Sequence, residues 1–327
     1  EHQRRRGEAP VTRSLAAFLI LLASLTLAPA PSPAQSPSGA FCGTVRRPPR
    51  YYKHVVWVWL ENHDYTSIIG NPTAAFINSL AAGCGLATNF HNITHFSLPN
   101  YIGAVTGLGL ADLQPYLLDC NPGVNCQTSA ESIFSQAASW KAYQESMPTN
   151  CAPSGFSPYG VRHNPPVYLT GLAATCGTFD VPYTELQADL DNDTLPAFSF
   201  VTPNNINNMH DNVGNPIQNG DDWVRAELPK ILNSQAYRRG ETLVFLTFDE
   251  GEFGTGFAVG EDCAKNTTDP SCRVATIVIA PSVRPGATSA RVFNHYSMLR
   301  TTEQVLGIPK KLGLARRSRL MRSAFHF

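Results

Sequence analysis

Unbroken apolar runs punctuate an otherwise mixed chain at a few places. His54-Val-Val-Trp-Val-Trp-Leu60 carries no polar position after its first residue, and Thr242-Leu-Val-Phe-Leu-Thr-Phe248 is nearly as apolar, interrupted only by Thr247. Such runs, rich in β-branched and aromatic residues, predict strands buried on both faces. Residues 274–280 give another strand of the same kind, and residues 198–202 a shorter one. Helical spacing marks residues 74–82, stopped by Gly83 and Gly85, and residues 101–107 can open another helix. Residues 129–138, 140–145, 221–233 and 296–306 also read as helical, with Asp221 or Asp222 as a cap candidate for the third of these. Residues 112–126 and 203–220 are irregular and polar. Strands alternating with helices predict an α/β sandwich around a mostly parallel sheet, in a single domain over residues 50–327.

Polar clusters follow several of these apolar runs. Glu61-Asn62-His63-Asp64 follows the first strand, Thr94-His95-Phe96-Ser97-Leu98-Pro99-Asn100 precedes a helix, and Asp249-Glu250-Gly251 ends the strongest strand. Open parallel sheets bind ligands outside the carboxyl ends of their strands, so residues far apart in sequence meet there. Carboxylates and an amide are hard oxygen donors that suit a divalent cation. Each element alone has a plainer explanation. An acidic pair after a strand is commonly a turn or cap, and Thr94 or Ser97 alone would be a helix N-cap.

Composition narrows the setting. The 327 residues carry 25 basic and 25 acidic side chains. No global field therefore steers nucleic acid or an anionic membrane to the protein. Arg4, Arg5, Arg6 and Arg13 surround the start of an apolar run over residues 15–28, which ends in small residues and Ser32-Pro33-Ala34. That is the pattern of a signal peptide over residues 1–34, with an apolar stretch too short to span a bilayer. A Pro/Ser-rich segment, residues 35–49, follows. Eight cysteines with no C-x-x-C pair suit disulfides in an exported protein, and close spacing makes Cys120–Cys126 and Cys263–Cys272 attractive loop staples. The basic run Arg316 to Arg322 reads as a solvated tail.

Taken together, the motifs resemble the bacterial phosphoesterase family. Glu61-Asn-His-Asp-Tyr65 through Gly70-Asn-Pro72 looks like its opening motif. Thr94-His-Phe-Ser-Leu-Pro-Asn-Tyr101, Trp140-Lys-Ala-Tyr143, Arg162-His-Asn-Pro165, Met209-His-Asp211, Thr247-Phe-Asp-Glu250 and Asn294-His-Tyr-Ser297 follow in order. The resemblance implies a three-layer, alkaline-phosphatase-like α/β fold and a secreted, metal-dependent phosphatase. It makes Glu61, Asn62, Asp249 and Glu250 ligands of one divalent cation, with calcium, magnesium or manganese favoured over zinc. Ser97 becomes the metal-bound nucleophile, with Thr94 as the other register. His163 and His210 would surround the phosphoryl group, with His95 and Asp211 beside them. His295 lies in a motif but serves equally to lock the last helix. The substrates implied are phosphorylated small molecules or phosphoinositides. The match is nearer to short secreted acid phosphatases, including the phosphatidylinositol-3-phosphatase type, than to the longer phospholipases C. Phospholipase C-type diester cleavage is the first alternative and a non-catalytic secreted binding protein the second, although each of these positions holds a chemically competent residue.

Overall fold

His54–Leu60 forms the strand its apolar pattern predicts (β1), buried from Val55 onward. The computed structural model describes residues 41–155, 157–252, 258–266 and 268–327, all within one compact unit, Pro37–Phe327. The expected signal peptide lies outside the described residues. Eight further strands complete one sheet: β2 (Gly85–His91), β3 (Trp140–Gln144), β4 (Asp180–Pro182), β5 (Phe198–Thr202), β6 (Thr242–Phe248), β7 (Arg273–Ile279), β8 (Ala287–Ser289) and β9 (Phe293–Asn294). Their order is β4-β3-β5-β1-β6-β7-β2-β8, with β9 pairing to β2. Only β7 runs against the rest, so the sheet is mixed but mostly parallel. Reversal at β7 restores β2 to the direction of β1 and β6. The loops after β1, β2, β5 and β6 therefore leave the same edge.

Four helices matter for the site: α1 (Ala75–Gly83), α2 (Ser97–Thr106), α3 (Pro216–Leu232) and α4 (His295–Val305). Trp57 and Trp59 of β1 meet two of them. The Trp57 indole donates to Thr302 Oγ1 at 3.0 Å, and Trp59 packs on Tyr101 and His295 with ring centroids 4.8 and 4.6 Å away. Each fully buried aromatic ring removes a large apolar area from water, so these contacts fix the helices over the strand ends.

Several sequence expectations need correction. Trp140–Gln144 is a strand, not a helix; only Ile133–Gln136 of the preceding stretch is helical. The third helix starts at Pro216, capped by Asn215, five residues before the expected start. Asp221 does not cap its own helix. Its buried carboxylate accepts from the N–H groups of Phe76 and Ile77 at 3.0 and 2.8 Å, closing the amino end of α1, and pairs with Arg225 at 2.6 Å. The basic tail is not a solvated end either. Met321, Phe325 and Phe327 are buried, and Arg322 donates to the carbonyls of Pro49 and Arg50. Long apolar side chains spaced between arginines anchor that segment where the charge run alone suggested none would.

Four disulfides join Cys42–Cys84, Cys120–Cys126, Cys151–Cys176 and Cys263–Cys272. The two staples expected from spacing are among them, and the described residues include no free cysteine. Among those residues no helix is long and apolar enough to cross a membrane.

Asp221→Ala removes a cap shared between two distant helices. It should lower stability by about 2 kcal/mol in urea unfolding while leaving turnover unchanged. An unaltered midpoint would contradict the capping role.

Candidate active site

Register sets the site. Leu60 lies opposite Phe248 in adjacent parallel strands, so Glu61-Asn62 and Asp249-Glu250 emerge side by side. Asn62 takes φ 50°, a left-handed conformation that asparagine tolerates better than most residues. Its N–H then reaches Asp249 Oδ1 at 3.1 Å. Glu61 is held from the third loop, its N–H donating to the Asn208 carbonyl at 2.8 Å.

Ser97 arrives from the segment after β2 as the first residue of α2. Asn100 explains the placement. Its side-chain oxygen accepts from the N–H groups of Ile93 and Thr94, and its amide donates to the carbonyls of Thr94 and Phe96. One side chain thus ties the approach loop to the helix it enters. Ser97 Oγ lies 3.0 Å from Glu61 Oε2, 3.3 Å from Glu250 Oε1 and 3.4 Å from Asn62 Oδ1. The amino end of α2, with its positive dipole end, lies at the same hydroxyl. Thr94 is elsewhere engaged: it is fully buried, with its hydroxyl 3.5 Å from the His95 carbonyl.

Glu61, Asp249 and Glu250 are all buried. Burial and, next, the neighbouring Asp249 charge push the Glu61 carboxyl well above its usual range, and the same causes act on Glu250. Burial pushes Asp249 up to about 7. Asp249 Oδ2 has no hydrogen-bond partner among the described residues. Crowded carboxylates with an orphaned oxygen, an amide and a hydroxyl fit a hard divalent cation. Two tighter groups of ligand-type atoms exist among the described residues, His95–Glu261–Cys263–Cys272 and Cys151–Cys176–Asp180. Both contain a disulfide, which offers no thiolate to a metal.

Histidines ring this cluster at different depths. His95 Nδ1 contacts Glu250 Oε2, and its Nε2 lies 3.2 Å from Ser271 Oγ, so the ring orients a carboxylate from behind. Burial depresses its pKa to about 4. His295 Nε2 lies 2.7 Å from the Asp249 carbonyl oxygen, tying α4 to the same strand end. His163 is buried, with Nε2 3.2 Å from Glu61 Oε2; burial and then the nearby His210 charge hold it neutral. His210 is partly exposed and hydrogen-bonded to Asp211 at 2.9 Å.

Ser97 opens into a cleft of about 260 Å³ shared with Asn62, Asp119, Arg162, His210 and Glu250. A second cleft of about 450 Å³ continues from Asn62 and His210 past Met209, Asn212 and Ile217. Tyr101, Asp119 and Arg162 were not among the candidates from sequence. Tyr101 donates its hydroxyl to Glu61 Oε1, and Arg162 Nη1 lies 3.2 Å from Asp119 Oδ2. Tyr101 and Arg162 stand inside the quoted motifs, which was the available signal. Asp119 had none.

At one edge of a mostly parallel α/β sheet, carboxylates, an amide and a serine hydroxyl thus form the candidate centre. The model of the Phosphoesterase family matches residues 70–309, and the chain belongs to that family. Glu61 and Asn62 precede the matched stretch. A phosphatidylinositol-3-phosphatase of Mycobacterium tuberculosis is 30% identical over 263 residues, 79% of this chain and 78% of that protein. A phosphate-repressible acid phosphatase of Penicillium chrysogenum is 29% identical, and an acid phosphatase of Aspergillus fumigatus 27%. The chain spans 60% and 54% of the length of these two fungal proteins, and they match 79% and 77% of it. Among solved structures, an alkaline phosphatase superfamily protein of Vibrio parahaemolyticus aligns with a TM-score of 0.51 at 14% identity, over 87% of this chain and 74% of that one. The lipoteichoic acid synthase LtaP of Listeria monocytogenes gives 0.52 at 12%, over 84% and 75%. At such identities the likeness establishes the α/β fold alone.

The raised carboxyl pKa values fix a sign for stability. A folded-state value above the unfolded one means that the native state binds protons more tightly. Its contribution is therefore complete below the ordinary value of 3.8 and is lost as pH rises through about 7 for Asp249. In chelator, the melting temperature should fall between about pH 5 and pH 8. Added calcium, magnesium or manganese should raise it, and more strongly at the higher pH. Equal melting curves with and without cation at both pH values would contradict a shared cation site.

Proposed function

We propose that the protein is an exported, cation-dependent phosphatase that hydrolyses phosphate monoesters through a phosphoserine at Ser97. One observation carries the reading: Ser97 Oγ lies within 3.4 Å of oxygens from Glu61, Asn62 and Glu250 and opens into a cleft with Arg162 and His210. Names of the relatives, a phosphatidylinositol-3-phosphatase and acid phosphatases, support phosphomonoesters, phosphoinositides included, as substrates. Four disulfides and the leader-like start support export. The scaffold is taken as three-layered and alkaline-phosphatase-like.

Glu61, Asn62, Asp249 and Glu250, with Ser97, would hold the cation. A divalent ion bound there neutralises phosphoryl oxygens and lowers the pKa of the serine hydroxyl. Ser97 Oγ bonds to phosphorus as the bond from phosphorus to the ester oxygen breaks in line. The hydroxyl proton leaves toward the carboxylates it already faces. His210, which lines both clefts, gives a proton to the departing alkoxide while Asp211 fixes its ring. Water, giving a proton back to His210, then attacks phosphorus as the bond from Ser97 Oγ to phosphorus breaks; the carboxylates return the serine proton and inorganic phosphate departs. His163, His95 and Tyr101 act through the carboxylates they touch, as positioning residues. The wider cleft beyond His210 receives the leaving group.

Ser97→Ala is expected to reduce kcat on p-nitrophenyl phosphate by at least about a thousandfold, whereas Thr94→Ser keeps most activity. Turnover near the wild-type rate in Ser97→Ala would remove the assignment. Release from bis-p-nitrophenyl phosphate or phosphatidylcholine alone, without monoester cleavage, would replace it with a phospholipase C-type diesterase. A purified protein inert to every ester, yet binding cation and phosphate, would mark a binding protein.

A further inference from the structure

Arg162 and Asp119 stand in the cleft beside Ser97 but take no part in the cluster of Glu61, Asn62, Asp249 and Glu250. Arg162 belongs to a short 3-10 turn, Val161–His163, whose last residue is buried against Glu61. Among the described residues its guanidinium is anchored at one nitrogen, Nη1, which lies 3.2 Å from Asp119 Oδ2, and its side chain keeps 39% of its surface open. A guanidinium carries five N–H donors in a rigid plane, so most remain to meet an anion in the cleft.

Asp119 is fixed independently of Arg162. Its Oδ1 accepts from the Leu98 N–H at 2.9 Å, in the first turn of α2 next to Ser97. It adopts φ 53° and directly precedes Cys120, which the disulfide to Cys126 holds and whose carbonyl accepts from the Tyr168 hydroxyl at 3.0 Å. One carboxylate therefore bridges the helix that bears the serine and the arginine that faces it. A partly exposed ion pair of this kind adds little to fold stability. Its placement does more: it ties Arg162 to the helix that begins with Ser97, and both residues line the same cleft.

We infer that Arg162 clamps a phosphoryl oxygen of the bound ester, and that Asp119 is the positioning residue that holds Arg162 over Ser97. This rests on the phosphatase reading of the same cleft. The planar fork suits two oxygens of one phosphoryl group, a geometry that lysine does not reproduce. Asp119 makes the clamp rigid before substrate arrives, so substrate binding does not have to order the arginine.

Steady-state kinetics with p-nitrophenyl phosphate and inhibition by inorganic phosphate test the pair, with cation present throughout. Arg162→Ala should raise KM and the phosphate inhibition constant by about ten- to a hundredfold, and free guanidinium ion should restore part of the loss. Arg162→Lys should recover less than guanidinium does. Asp119→Asn retains the acceptor for Leu98 and should weaken phosphate several-fold in the wild-type background, but not further in Arg162→Ala. Urea midpoints for all variants should match wild type, which separates these effects from misfolding. A wild-type inhibition constant in Arg162→Ala, or no response to guanidinium, overturns the clamp. Equal losses from Asp119→Asn in both backgrounds overturn its action through arginine. Ser97→Ala run alongside tells the two readings apart. If Ser97→Ala is inactive while the Arg162 variants behave as wild type, only this inference fails; if Ser97→Ala is fully active, the phosphatase reading fails first.

Discussion

Burying Glu61, Asp249 and Glu250 together at one sheet edge is the constraint around which the rest of the protein is arranged. Each carboxylate loses its hydration, and the Asp249 charge raises the cost of ionising Glu61 and Glu250. Neutral partners supply only part of the compensation. Tyr101 and Ser97 donate to Glu61, the Asn62 N–H donates to Asp249, and Ser97 reaches Glu250. Asp249 Oδ2 is left without a hydrogen-bond partner among the described residues. On the proposed reading such a cluster holds either protons or a cation, and only the second state makes the serine a nucleophile.

Topology makes the crowding unavoidable. Two parallel strands in register deliver Glu61 and Asp249 as neighbours, and β7 reverses so that β2 returns with Ser97 to the same edge. Around this edge the polar residues have divided labour. Asn100 shapes the loop, His295 and Trp59 hold α4 against the strand, and His95 stands behind Glu250. A buried polar network of this kind is sound only if nearly all members are satisfied. Among the described residues Asp249 Oδ2 is the unmet oxygen of the carboxylate cluster, while Trp59 Nε1 and His295 Nδ1 beside it also lack hydrogen-bond partners.

Long apolar strands and the residues directly after them were legible because burial on both faces leaves an uninterrupted sequence signature. β1 and β6 and their acidic ends follow from that. β3 was misread because Trp140-Lys-Ala-Tyr-Gln is brief and continuous with a helical stretch, so no turn residue marks the change of period. β2 went unread because Gly85-Leu-Ala-Thr-Asn-Phe-His91 mixes polar positions into a strand that sits inside the sheet. Asp119 was illegible for another reason: its partners Leu98 and Arg162 lie 21 and 43 residues away, and an irregular loop carries no periodic signal. Asp221 shows the converse error. A local rule made it a cap for its own helix, and tertiary packing made it the cap of another, about 145 residues distant.

Anomalous X-ray diffraction from crystals soaked in manganese tests the central claim most directly. One strong peak is predicted among Glu61, Asn62, Asp249 and Glu250, within about 2.6 Å of ligand oxygens and beside Ser97 Oγ. A peak elsewhere in the fold, or none with those carboxylates still crowded together, would contradict it.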